Sequence, residues 1–279
     1  MANYTAADIK TLRERTGAGM LDVKKALDEA DGDLTKAQEV IRVKGLKGVS
    51  KREGRSASDG LVAVSIADAA DGQVGVLVEV NSETDFVAKN DVFVALADQV
   101  VAAALEVGAT DVEQLRAAEV DGRSISALVD ETAATLGEKV VVRRLARVEG
   151  TKVTEYLHRT NKDLPPQVGV LVASDEAGAS VARDVAMHIA AFSPTFLTRD
   201  DVPAEKVADE RRIAEETARN EGKPEQALPK IIEGRLNGYF KEVVLLDQPF
   251  AKDPKKTVGQ VVTEAGGTVT GFARFRVGA

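Results

Sequence analysis

The stretch Gln73-Val-Gly-Val-Leu-Val78 occurs a second time, residue for residue, as Gln167-Val-Gly-Val-Leu-Val172, 94 positions further along the chain. Each copy is followed by apolar residues at helical spacing, at 91–107 and at 180–192. A second similar pair, Leu145-Ala-Arg-Val148 and Phe272-Ala-Arg-Phe275, lies 127 positions apart. Two matches in the same order indicate that the chain contains two copies of one α+β unit.

The offsets of the two matches differ by 33 residues, so the second copy should contain an insertion of about that length before its last strand. Residues 204–221 are mostly charged, and an apolar series follows the turn signal Gly222-Lys223-Pro224. This pattern predicts an antiparallel helical hairpin at about 203–245. Such a projection usually packs on a partner. The sequence leaves open whether it contacts another protein or forms a homo-oligomer.

The remaining patterns divide the chain into further segments. Strand-like runs at 61–66 and 75–80 flank a turn at Asp71-Gly72, and Asn90 with Asp91 can cap the helix that follows. Three short helical patterns lie in residues 5–40. We therefore predict an N-terminal helical module at 1–41, a basic linker at 42–60, a first core subdomain at 61–150, a connector at 151–166 and a second core subdomain at 167–279.

The linker carries a concentration of positive charge. Residues 42–55 hold one acidic side chain, Glu53, and six basic ones: Arg42, Lys44, Lys47, Lys51, Arg52 and Arg55. The segment is either a solvated tether or an arm that binds nucleic acid. A net charge of -8 over the 279 residues favours the tether, because an acidic protein repels a polyanion.

Composition excludes several classes of function. With no cysteine there is no disulfide framework, thiolate nucleophile, zinc ribbon or iron–sulfur ligation, and a reducing cytoplasm is the expected compartment. No apolar run approaches the roughly 20 residues of a membrane span, and no signal region is visible, so we expect a soluble, unprocessed protein. With only two histidines, a histidine-rich metal site is impossible.

Candidate catalytic groups are few. Asp184 and His188 lie four positions apart on a predicted helix and could share a metal, but two ligands do not make a site, and a surface or helix-capping histidine is favoured. The carboxylates of Glu79, Glu83 and Asp85 lack a visible nucleophile or base as partner. We predict no catalytic residue, no resident metal and no cofactor.

One polar segment contains an aromatic residue. Phe86 lies in Asn81-Ser-Glu-Thr-Asp-Phe-Val-Ala-Lys-Asn90, between a predicted strand and a predicted helix. It either folds back as a hydrophobic staple under that helix or points outward with Asp85 as an anchor for a partner. Composition alone does not decide between these two positions.

Four segments together resemble the bacterial translation elongation factor Ts family: Leu12-Arg-Glu-Arg-Thr-Gly-Ala-Gly-Met20, Lys24-Lys-Ala-Leu27, Thr84-Asp-Phe-Val-Ala-Lys-Asn90 and Thr257-Val-Gly-Gln260. The likeness runs nearly from end to end. It implies an α+β fold with a ubiquitin-associated-like N-terminal module, and it favours an outward Phe86. It also implies a guanine nucleotide exchange factor that binds the GTPase elongation factor Tu, promotes GDP release and performs no covalent chemistry.

The resemblance also implies contact residues. The N-terminal module would dock on the partner's nucleotide domain through Leu12, Arg13, Met20, Leu21 and Lys24. A loop near the partner's Mg²⁺ site would be formed by Thr84, Asp85, Phe86 and Val87. His158 lies in the region between the subdomains, where family members have a histidine that contacts the partner, although the residues around it differ. Family members often continue with a C-terminal helical module, whereas this sequence stops at Ala279, so we expect the contacts of that module to be absent.

Overall fold

The computed structural model describes residues 3–16 and 18–279. Met1, Ala2 and Gly17, which belong to the predicted N-terminal module and its first helix break, lie outside the described residues. The helices and strands follow in this order: α1 (Ala6–Thr16), α2 (Met20–Glu29), α3 (Leu34–Arg52), β1 (Asp59–Ala69), β2 (Gly72–Ser82), α4 (Asp85–Ala88), α5 (Asp91–Glu106), α6 (Val112–Ala117), β3 (Glu119–Val120), β4 (Arg123–Ser124), α7 (Ile125–Leu136), β5 (Val141–Gly150), β6 (Lys152–His158), β7 (Val168–Ser174), α8 (Ala179–Phe192), α9 (Ala204–Asn220), α10 (Leu228–Val243), β8 (Pro249–Phe250), β9 (Asp253–Thr257), α11 (Val258–Glu264) and β10 (Val269–Arg276).

The repeated stretch forms the central strand of each of two antiparallel three-stranded sheets. The first sheet has the order β1-β2-β5 and the second has the order β10-β7-β6. The register is also repeated, because Leu77 lies opposite Ala146 and its counterpart Leu171 lies opposite Ala273. The predicted α+β fold with a duplicated core is confirmed.

The alternation of side chains along β2 and β7 places one face of each sheet on helices and the other face on the second sheet. Val76 and Val78 pack with α5 and α7, and Val170 and Val172 pack with α8 and α11. Leu77 and Leu171 lie between the two sheets, where they pack with Val62 and Val153. The core is therefore two sheets face to face with helices on their outer faces.

The predicted helical hairpin is confirmed as an insertion in the second copy. Helices α9 and α10 pack through a small core of their own: Ala214, Ala218, Leu228, Ile232 and Leu236. The chain leaves and re-enters the core at neighbouring points, because Phe196 and Val244 form a parallel bridge. An insertion closed in this way can project without disturbing the strand order of the sheet.

The three N-terminal helices also enclose a separate core, which includes Leu12, Val23 and Leu27. The segment that follows differs from the expected tether, because α3 continues to Arg52. Gly45 allows α3 to approach the backbone of Ala134 on α7 closely, and Arg42 forms an ion pair with Glu131. Tertiary contacts with α7 therefore keep the first part of the basic segment helical. The division of the chain into domains at the boundaries given above stays a prediction.

Candidate partner-binding site

Phe86 lies on α4, a short helix between β2 and α5. Two residues of this helix, Val87 and Ala88, are buried against the first sheet, whereas the side chain of Phe86 is 73% exposed. The ammonium nitrogen of Lys89 lies 4.6 Å from the centre of the Phe86 ring. Phe86 therefore points outward, and the staple alternative is wrong, because buried packing on this helix is provided by Val87 and Ala88.

Hydrogen bonds fix both ends of the Phe86 segment. Thr84 is the N-cap of α4, and its hydroxyl accepts a bond from the Val87 N–H at 3.4 Å. Glu138, which follows α7, accepts bonds from the Thr84 N–H at 3.0 Å and the Thr84 hydroxyl at 2.7 Å. Asn90 caps α5 by accepting from the Val92 N–H at 2.9 Å. The exposed aromatic ring thus stands on a backbone that is held in place before and after it.

Asp85 begins α4 and is half-buried beside Phe86. A carboxylate in the first turn of a helix interacts favourably with the positive end of the helix dipole. The structure therefore presents an acidic group and an apolar ring next to each other. Of the four sequence-predicted residues here, Phe86 is exposed, Thr84 and Asp85 are half-buried, and Val87 is buried.

The N-terminal module presents a second apolar surface. Met20 and Leu21, at the start of α2, are 55% and 72% exposed, and Arg13 and Lys24 are exposed as well. The structure corrects the expectation for Leu12, whose side chain is fully buried in the core of the three helices. Leu12 can shape this surface by packing the helices, but its side chain is not part of the surface.

His158 ends β6 and is exposed. Its Nδ1 lies 3.2 Å from the Tyr156 hydroxyl, at the edge of a groove of about 330 Å³ that Met187 and Lys252 also line. The sequence-predicted site residues therefore lie on four separate elements: α1, α2, the α4 segment and β6.

The alternative of a metal site at Asp184 and His188 is opposed by the contacts of both side chains. His188 is fully buried rather than on the surface; its Nε2 lies 2.8 Å from Gln248 Oε1, and its Nδ1 accepts from the Ala251 N–H at 3.2 Å. Burial lowers the pKa of His188, and the Gln248 bond opposes this effect only in part. Asp184 is bonded to Lys252 at 2.6 Å. Within residues 3–16 and 18–279, no three side chains from His, Asp and Glu are grouped so that they could hold a metal ion.

The alternative of a nucleic-acid arm is weakened because several of its basic groups have partners within the protein. Arg42 pairs with Glu131, Lys44 pairs with Glu29, and Arg55 pairs with Glu83 at 3.3 Å. Arg52 donates to the carbonyl oxygen of Ala133 at 3.2 Å. Charges already paired with carboxylates contribute less to attraction of a polyanion.

Two carboxylates have structural roles that sequence reasoning missed. Glu138 is 54 residues from Thr84, and no local motif connects them. Glu79 is fully buried and bonds to Arg144 Nε at 2.6 Å, so its charge is neutralised inside the fold. The sequence contains one indication of the Glu79 contact: an acidic residue lies within an otherwise apolar strand. A carboxylate that is buried in this way requires a partner.

Comparisons with known proteins indicate one family, and together they cover the whole chain. A sequence model of the family described as elongation factor TS matches residues 83–279. Elongation factor Ts of Beutenbergia cavernae is 71% identical over 281 residues, and the match covers 100% of both chains. The proteins of the same name from Micrococcus luteus and Kocuria rhizophila are 67% and 66% identical, again over the full length of each chain.

The structure defines an α+β protein with a duplicated core, in which the aromatic ring of Phe86 is exposed on a short helix between a strand and a longer helix. The comparisons specify the family. The chain belongs to the elongation factor Ts family, and its role is that of an elongation factor in protein biosynthesis. Of the helices in the part of the chain that the structure describes, none is both long and apolar enough to cross a membrane.

Proposed function

We propose that this chain is a guanine nucleotide exchange factor that binds elongation factor Tu, in its GDP-bound and nucleotide-free forms, and accelerates GDP release in the cytoplasm. Membership of the elongation factor Ts family supports the partner and the process. The observation that carries the mechanism is the exposure of Phe86, 73%, on a helix of four residues whose other apolar side chains are buried.

Phe86 supplies binding energy at a single point. Removal of apolar surface from water contributes about 25 cal/mol per Å², and an aromatic anchor in a desolvated pocket is worth about 2 kcal/mol or more. Asp85, next to the ring, adds negative charge and hydrogen-bond acceptors. Inserted near the phosphate- and Mg²⁺-binding site of the GTPase, this pair displaces groups that hold GDP largely by electrostatic attraction.

Exchange requires no covalent step by this chain. Suppose that this protein binds nucleotide-free elongation factor Tu more tightly than the GDP-bound form. Thermodynamic linkage then requires that the protein and GDP lower each other's affinity for elongation factor Tu by the same ratio. The surface formed by Arg13, Met20, Leu21 and Lys24 provides a second contact that retains the partner while Phe86 acts. His158 is proposed as a further contact from the second half of the molecule.

The test is GDP release from elongation factor Tu, measured by stopped-flow fluorescence with a labelled nucleotide. Phe86→Ala should reduce the efficiency of exchange about 30-fold, the equivalent of about 2 kcal/mol. Its melting temperature should stay near that of the parent protein, because an exposed ring contributes little to the core.

The matched control is Val107→Ala, which shortens another apolar side chain that is 50% exposed, at the far end of α5. Exchange by this variant should equal that of the parent protein. Unchanged GDP release with Phe86→Ala would show that the exposed ring is not the exchange element.

A further inference from the structure

We propose that Glu138 is a positioning residue for exchange, which holds Phe86 in its outward position by orienting Thr84. This inference rests on the proposed function, because it concerns the same site. The two hydrogen bonds that Glu138 makes here both go to Thr84, the cap that precedes α4. Glu138 therefore affects the Phe86 ring indirectly, through Thr84.

Helix α4 needs support from outside itself. A single turn of helix fixes several backbone torsions for very few hydrogen bonds, so four residues do not form a stable helix alone. Its cap is also weak, since the Thr84 hydroxyl accepts from the Val87 N–H at the long distance of 3.4 Å. The outward position of Phe86 therefore depends on groups that fix Thr84.

Glu138 fixes Thr84 with both of its carboxylate oxygens. Oε2 accepts from the Thr84 N–H at 3.0 Å, and Oε1 accepts from the Thr84 hydroxyl at 2.7 Å. Because the hydroxyl proton points at Glu138, an oxygen lone pair is left to face the Val87 N–H. Bonds to an ionised acceptor are stronger than neutral ones, so the carboxylate sets the orientation of the capping hydroxyl.

The neighbouring residues form a reciprocal pair of bonds. The Lys139 N–H donates to Glu83 Oε1 at 2.7 Å, so each of two adjacent residues after α7 bonds to one of two adjacent residues before α4. The Lys139 ammonium group in turn donates to the carbonyl oxygen of Arg55 at 3.0 Å. We call Glu83, Thr84, Glu138 and Lys139 the clasp. It ties the Phe86 segment to the start of β5, a strand of the first sheet.

The consequence is pre-organisation. A side chain that is already held in its bound position loses less conformational freedom when it meets a partner, and this raises affinity without any new contact. Loss of the clasp should leave the ring chemically unchanged but free to occupy other positions. Exchange should then slow even though Phe86 is present.

The first measurement is the efficiency of GDP release from elongation factor Tu with Glu138→Gln. The amide oxygen can accept one bond from Thr84, but the amide NH₂ group cannot accept the other. Exchange should fall about tenfold. The matched control is Glu149→Gln, which removes the same charge from an exposed carboxylate at the other end of β5 and should leave exchange unchanged.

The second measurement reports on position directly. The chain contains no tryptophan, so Phe86→Trp places a single tryptophan at the site, which can be excited selectively beside the three tyrosines. Its fluorescence anisotropy in the free protein should fall when Glu138→Gln is added and should stay constant when Glu149→Gln is added. Unchanged anisotropy combined with slow exchange would overturn the positioning role, since Glu138 would then act on the partner directly.

A conservative pair covers the case in which Glu138→Gln fails to fold. Thr84→Ser keeps both bonds to Glu138, whereas Thr84→Val removes the hydroxyl at the same size. Thr84→Val should therefore exchange about tenfold more slowly than Thr84→Ser and show lower anisotropy in the Phe86→Trp background. Equal behaviour of the two variants would overturn the inference. The proposed function is tested separately, and normal GDP release with Phe86→Ala would contradict it. Normal GDP release with Glu138→Gln, together with slow release with Phe86→Ala, would contradict only the positioning role of Glu138.

Discussion

At the scale of single residues, the two glycines of the repeated stretch set the distance between the sheets. A Cβ on Gly75 would lie 2.7 Å from a Val153 methyl carbon, and a Cβ on Gly169 would lie 2.6 Å from a Leu77 methyl carbon. Gly75 also faces Leu171, so the glycine of each copy receives the leucine of the other copy. The stretch is repeated because each copy provides both the space and the side chain that fills the other copy's space.

We expect Gly169→Ala to destabilise the protein by about 1–3 kcal/mol, because an added methyl group overpacks a buried contact. Gly234→Ala is the matched control. Gly234 lies on an exposed part of α10, and a Cβ added there would have no neighbour within 4 Å, so this change should stabilise by about 0.5–1 kcal/mol through helix propensity. Urea unfolding followed by circular dichroism measures both. A stability of Gly169→Ala equal to or above that of the parent protein would contradict the packing argument.

Two leucines of the N-terminal module differ in exposure, so their variants can distinguish a packing role from a binding role. Leu12 is fully buried and Leu21 is 72% exposed, although both lie in or beside the segments that resemble the family. We expect Leu12→Ala to destabilise the module by about 2–5 kcal/mol. Leu21→Ala should change stability by less than about 0.5 kcal/mol but weaken binding of elongation factor Tu.

Thermal unfolding and binding isotherms measured on both leucine variants test this distinction. The proposal for the N-terminal surface requires opposite profiles, with lost stability for Leu12→Ala and lost affinity for Leu21→Ala. Normal affinity with Leu21→Ala would remove Leu21 from the contact surface.

At the scale of elements, sequence pattern succeeded where contacts are local or repeated. The strands β2 and β7, helix α5 with its Asn90 cap, and the α9–α10 hairpin follow from periodicity and from the offsets between copies. Pattern failed where distant residues decide the structure. Helix α3 extends into a glycine-containing basic segment because α7 supports it, and α4 is too short to have a period of its own.

His188 shows the same limit within one element. On α8 it resembles a surface histidine, but it is buried because Gln248 and the Ala251 N–H, both about 60 residues away, provide partners for its ring nitrogens. The ring also stacks on Phe192 with centres 4.6 Å apart. His188 therefore fastens α8 to the segment that follows the helical hairpin.

The state of this histidine should make stability depend on pH. Burial holds the pKa of His188 below its usual value of 6.5, so the unfolded chain binds the proton more readily than the folded protein does. Stability from this group is complete above about pH 6.5 and is lost as the pH falls below it, at up to about 1.4 kcal/mol per pH unit. Protonation of Nδ1 also removes the acceptor for the Ala251 N–H.

Melting temperatures between about pH 7.5 and pH 5.5, on either side of the usual histidine pKa, test this expectation. The decrease seen with the parent protein should become smaller in His188→Gln, whatever the absolute stability of that variant. The exposed His158 gives the control, and His158→Gln should keep the slope of the parent protein. Identical slopes for all three proteins would show that His188 is not the titrating group.

At the scale of the whole molecule, an ion pair within the first sheet, between the buried Glu79 and the half-buried Arg144, also contacts the C-terminal end of the second sheet. Glu79 of β2 accepts from Arg144 at 2.6 Å and from the Gly278 N–H at 3.1 Å. Arg144 of β5 also donates to the carbonyl oxygen of Arg276 at 2.8 Å, and its guanidinium carbon lies 4.6 Å from the centre of the Phe275 ring. The first sheet is therefore connected to the last strand of the second sheet by polar contacts as well as by the apolar layer between them.

We expect Arg144→Met to destabilise the protein by about 3–5 kcal/mol, because it leaves the Glu79 carboxylate buried without a counter-charge. Adding Glu79→Gln should restore part of this loss, since the double variant no longer buries an unpaired charge. Arg123→Met is the control: it removes a surface ion pair with Glu131, and such pairs contribute about 0–1 kcal/mol. Urea unfolding of the parent protein, the two single variants and the double variant measures these changes in the free energy of unfolding. If Arg144→Met lowers the free energy of unfolding no more than Arg123→Met does, the contacts of Glu79 and Arg144 with the end of β10 do not stabilise the packing of the two sheets, and the apolar layer around Leu77 and Leu171 is sufficient.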